Sequence, residues 1–67
     1  MSDSQLSILL IDEDARTRNY LGALLSKQNY LVQTLSSGKE GFITALRDRP
    51  DVIILDAGLS DMPAAEL

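Results

Sequence analysis

The sequence predicts an α/β domain: a parallel sheet with helices packed on its faces. Three observations predict it. Two apolar runs, Ile8-Leu9-Leu10-Ile11 and Val52-Ile53-Ile54-Leu55, are unbroken, as in strands buried on both faces. Two stretches between them carry apolar residues at helical spacing. The resulting order, strand-helix-strand-helix-strand, is that of βαβ units, which give parallel strands. The crossovers are expected to be right-handed.

The elements follow in chain order. Residues 1–5 are polar and read as a loose lead-in to the first strand. Asp14 is placed to cap the helix that follows. In residues 15–28, Tyr20, Leu21, Leu24 and Leu25 make one apolar face, and Thr17 extends it by a turn. Gly22 weakens this helix by roughly 1 kcal/mol relative to Ala, and either permits close packing or is tolerated. Asn29 is the expected stop, because Asn accepts left-handed conformations. Leu31–Leu35 reads as a short second strand, broken by Ser36-Ser37-Gly38. Ser37 and Glu40 have capping-box spacing and start a second helix. Its inward face is expected at Gly41, Phe42, Ala45 and Leu46, and Pro50 ends it. Val52–Leu55 is the third strand. Residues 64–67 read as the opening turn of a further helix.

Composition narrows the chemistry. The 67 residues allow one domain at most. A chain of this size buries only ~60% of its unfolded surface and is marginal without help. There is no Cys, which excludes disulfides and thiolate metal sites, and no His, which excludes imidazole catalysis and ligation. Any bound metal must sit on oxygen, which points to Mg²⁺, Ca²⁺ or Mn²⁺. Six Lys+Arg against ten Asp+Glu give a net charge of −4 with no basic cluster, so nucleic acid is not an expected partner. No apolar run is long enough to cross a bilayer, and the N-terminus lacks signal-peptide features, so the expected location is the cytoplasm.

In a parallel sheet the C-terminal strand ends share one edge. Asp12 and Glu13 follow the first strand, and Asp56 ends the third. If those strands are neighbours, three carboxylates converge where ligands bind in open α/β sheets. Mutual repulsion would then raise their pKa values unless a hard cation joined them. Mg²⁺ suits such a set, because it takes one or two carboxylates and keeps several waters. A carboxylate beside Mg²⁺ can attack phosphorus, so Asp56 is a candidate nucleophile. The alternative stays open: acids at strand ends also serve as caps and turn formers.

"ILLIDED" at residues 8–14, the spacing through "RPDVIILD" and the terminal "AEL" together resemble the N-terminal half of a receiver domain of two-component response regulators. The resemblance covers nearly all residues from Ile8 onward. It implies a flavodoxin-like (CheY-like) fold with strand order 2-1-3-4-5. It implies that Asp12 and Glu13 hold Mg²⁺, that Asp56 is phosphoacceptor and ligand, and that Gly58 offers its backbone carbonyl to the metal. It implies a histidine kinase or phosphotransfer protein as phosphodonor. The chain would then be a non-enzymatic signalling segment in a phosphorelay. Two departures stand out. Where the family continues Met-Pro and then Met-Asp-Gly, this chain has Leu59-Ser60 and then Met62-Pro63-Ala64. The loop after Asp56 is therefore expected to be reshaped. The chain also stops at Leu67, so the fourth and fifth strands, with the family's switch Ser/Thr and Lys, have no counterpart. Residues 1–67 thus read as an incomplete receiver whose third strand is an open edge, and self-association through that edge is expected.

Two other functions compete. A pseudo-receiver of the same fold would act as an interaction module without phosphorylation. A haloacid-dehalogenase-type phosphatase would need Asp-x-Asp, which Asp12-Glu13-Asp14 supplies, but Ala15 and Arg16 follow where that family has Gly and Thr or Val. Gly38-Lys39-Glu40 lacks the remaining P-loop residues and reads as a helix start.

Overall fold

The computed structural model describes residues 5–61. The expected turn at residues 64–67 and the Met62-Pro63-Ala64 departure lie outside the described residues. The elements are β1 (Ser7–Ile11), α1 (Ala15–Lys27), β2 (Leu31–Leu35), α2 (Gly38–Asp48) and β3 (Val52–Leu55). They form one parallel sheet in the order β2-β1-β3. This is the expected α/β architecture, with the strand order of a flavodoxin-like fold over these three strands.

The ladder places Ile11 opposite Leu35 on one side and Leu55 on the other. It continues one step past the strands: Asp12 N–H donates to the Leu35 carbonyl at 3.0 Å and Asp56 N–H to the Ile11 carbonyl at 2.9 Å. At the opposite edge, Ser7 N–H donates to the Asp51 carboxylate at 2.7 Å and Asp51 N–H to the Ser7 carbonyl at 2.9 Å. β1 is thus held at both ends, and its residues Ile8 to Ile11 are buried, Leu9 and Leu10 to 1% exposure.

Side chains alternate along a strand, so Leu9 and Ile11 share one face and Ile8 and Leu10 the other. Leu9 and Ile11 pack with Leu59, Leu35, Ala45 and Leu55. α2 lies on that face so closely that a Cβ on Gly41 would stand 2.3 Å from Ile11 Cδ1. α1 lies on the other face, where Gly22 approaches Thr34, the ladder partner of Leu10.

Both helices are capped as expected. The Asp14 carboxylate accepts from Thr17 N–H at 2.9 Å, and the Ser37 hydroxyl accepts from Glu40 N–H at 3.3 Å. α1 ends on Asn29 at φ 70°. Asn29 N–H donates to the Ser26 carbonyl and Tyr30 N–H to that of Leu25, the two bonds of a Schellman motif. α2 closes on Arg49 at φ 50°, before Pro50.

The expected inward faces need correction. On α1, Tyr20 is 67% exposed and Leu24 is exposed, while Thr17, Arg18, Leu21, Gly22 and Leu25 are half-buried. On α2, Gly38, Gly41 and Thr44 are buried and Ala45 half-buried, while Phe42 and Leu46 are exposed. One residue turns a helix by about 100°, so choosing between adjacent apolar positions decides the face. Gly41 faces the sheet because only a residue without a Cβ fits its close approach to Ile11.

Candidate functional site

β1 and β3 are neighbours, yet the chain runs from β1 to β2 on one side before crossing to β3 on the other. The strand order reverses between β1 and β3, and crevices at such points bind ligands in open α/β sheets. Asp12 and Asp56 leave their strands side by side there, fixed by the continued ladder.

Each acid is engaged by its own loop. Asp12 Oδ1 accepts from Asp14 N–H at 2.9 Å, and Asp56 Oδ1 accepts from Gly58 N–H at 2.9 Å. Both are two-residue Asx turns. Glu13 turns elsewhere: its Oε2 accepts from Ser60 N–H at 2.8 Å and also from the Ser60 hydroxyl. Among the described residues no three or more Asp, Glu, His or Cys gather closely enough to hold a metal ion. The structure thus brings Asp12 and Asp56 to one edge, while the Glu13 carboxylate is held by Ser60 of the loop after β3.

The donors at this edge still fit a hard cation. They are oxygen only, and Asp12 and Asp56 supply the one or two carboxylates that Mg²⁺ takes. Gly58 follows on the same loop, and its φ is not positive, so this position is one any residue could adopt.

Four residues that sequence reasoning did not assign shape the site. Arg18 Nη1 donates to the Asp12 carbonyl at 2.9 Å and the Glu13 carbonyl at 3.2 Å, fixing the backbone of the acidic loop. Leu59 is buried in the core and anchors the loop after β3. Ser60 holds Glu13. The Asp61 carboxylate accepts from the Ser37 hydroxyl at 2.7 Å, Gly38 N–H at 2.9 Å and Lys39 N–H at 3.1 Å. These bonds, with that to Ser37 the largest, lower its pKa to about 2. Asp61 thereby ties the loop to the N-terminus of α2, where free N–H groups favour an anion. Leu59 alone had a local signal, an apolar residue in a polar loop. The other contacts join residues distant in the chain.

The sequence is similar to those of known regulatory proteins. The chain is 37% identical over 57 residues to "Transcriptional regulatory protein HprR" of Escherichia coli (strain K12), covering 85% of this chain and 26% of that protein. It is 33% identical over 67 residues to "Transcriptional regulatory protein GlrR" of the same organism, covering 100% of this chain and 15% of that one. It is 32% identical over 62 residues to "Response regulator MprA" of Mycobacterium leprae (strain TN), covering 92% and 27% respectively. The chain therefore spans about a quarter or less of the length of these relatives. No family model and no solved structure matches. Fold, strand order and these relatives agree: the chain resembles the N-terminal half of a receiver domain of response regulators.

Proposed function

We propose that the chain is the N-terminal portion of a single receiver domain, and that it accepts a phosphoryl group on Asp56. The observation that supports this most is the pairing of Asp12 and Asp56 at the strand ends where the sheet order reverses. In the proposed reaction an Asp56 carboxylate oxygen attacks phosphorus of a phosphohistidine. A carboxyl O–P bond forms, the P–N bond breaks, and imidazole leaves with the electron pair and takes a proton. Bound Mg²⁺ would neutralise charge on the transferred group. The chain's own part is to present Asp56, keep Asp12 beside it, and hold the loop behind both through Leu59 and Asp61.

The phosphodonor is a histidine kinase or phosphotransfer protein, and the setting is the cytoplasm. The net charge of −4 gives this segment no attraction to nucleic acid, and no helix among the described residues is long and apolar enough to cross a membrane. The role is signalling and not turnover. β3 pairs only with β1 among the described residues, and its Val52 and Ile53 are exposed, which supports self-association along that edge.

Incubation with a small-molecule phosphodonor and Mg²⁺, followed by intact-mass measurement, tests the phosphorylation. One phosphoryl group is expected on the wild type and none on Asp56→Asn. A pseudo-receiver predicts no adduct on either.

A further inference from the structure

Of Asp12, Glu13 and Asp56, Glu13 is the one held across to another loop among the described residues. Its Oε2 receives both the amide and the hydroxyl of Ser60, distant in the chain and on the loop after β3. Two donors on one carboxylate oxygen make a charge-assisted contact, stronger than a neutral hydrogen bond.

Both sides of this contact are fixed. Arg18 holds the carbonyls of Asp12 and Glu13. Ser60 sits between Leu59, buried in the core, and Asp61, bound to the start of α2. The backbone on either side is anchored, and the freedom that remains is in the Glu13 side chain.

We propose that Ser60 is a latch on the candidate cation site: it holds the Glu13 carboxylate on the loop after β3, and Glu13 reaches a cation beside Asp12 and Asp56 only by leaving Ser60. This rests on the reading of Asp12 and Asp56 as a cation site. The latch lowers apparent cation affinity by the fraction of molecules in which Glu13 is free.

Mn²⁺ binding to the full chain, read from the free-ion electron paramagnetic resonance signal, tests the latch. Ser60→Ala removes one donor and Ser60→Pro removes both. The expected result is tighter binding in Ser60→Ala and tighter again in Ser60→Pro, by about 3- to 10-fold. Adding Glu13→Ala should cancel the gain. Circular dichroism checks the fold, and Ser60→Ala serves alone where the Pro variant unfolds. A second readout needs no metal: the Ser60 amide proton should resonate downfield and lose that shift in Glu13→Ala. An unmoved amide overturns the latch. Equal Mn²⁺ affinity in wild type and Ser60 variants also overturns it, while leaving the cation site standing. No Mn²⁺ binding, or binding indifferent to Asp12→Asn and Asp56→Asn, removes the site and the latch together.

Discussion

Gly22 and Gly41 both face the sheet, under different constraints. A Cβ at Gly22 would meet Thr34 Cγ2 at 3.4 Å, an ordinary contact. Gly22→Ala should therefore stabilise the fold by about 0.5–1 kcal/mol through helix propensity alone. A Cβ at Gly41 would stand 2.3 Å from Ile11 Cδ1 and 2.9 Å from Cγ1, so the buried Ile11 side chain would have to shift. Gly41→Ala should destabilise by about 1–3 kcal/mol by overpacking. Urea unfolding of the two variants checks both signs. Asp61 gives a pH prediction at the same scale. Its folded pKa is lowered to about 2, below the ordinary carboxylate value. A depressed pKa adds stability that is fully present above the unfolded value, ~4. That contribution fades as pH falls through the folded value. The amide shifts of Gly38 and Lys39 should titrate with a midpoint near 2, and Asp61→Asn should abolish that titration.

At the scale of elements, what local rules govern was legible in the sequence and what long-range contacts govern was not. Asp14 and Ser37 cap their helices as their spacing indicates, because capping is settled within a few residues. Asn29 ends α1 for the same kind of reason: its φ of 70° is a conformation Asn tolerates. Asn29→Val should cost about 1–2 kcal/mol, whereas Asn29→Gly should be near neutral for the backbone; thermal melts of both check this. The inward faces are only partly legible: Leu21, Leu25, Gly41 and Ala45 turn inward as expected, whereas Tyr20, Leu24, Phe42 and Leu46 do not. Phe42 and Leu46 are apolar and exposed, while Gly38, Gly41 and Thr44 face the sheet. The strand-end acids were legible because a parallel sheet dictates which edge they share. The partners Ser60 and Asp61 were not, since Glu13 and α2 meet them only after the sheet has formed.

For the whole molecule, β1 is the shared centre and β3 the open side. β1 supplies most of the buried core, packs under both helices and carries the ladder that sets Asp12 beside Asp56. β3 has one partner among the described residues, and Ile53 on it is 48% exposed. Sedimentation should show a mass that rises with concentration, and Ile53→Lys, a charge on the edge, should shift the distribution toward monomer. A monodisperse wild-type monomer across the concentration range would oppose edge pairing. The proposed phosphorylation belongs to the C-terminal ends of the strands, where Asp12 and Asp56 leave neighbouring strands at the reversal of strand order. Its most direct test is to treat the chain with a small-molecule phosphodonor, with and without Mg²⁺, and to locate the product by peptide mass mapping. One acyl phosphate is expected, on Asp56, formed only with the divalent cation and lost in Asp12→Asn. Phosphate on another residue, or equal modification without the cation, would contradict it.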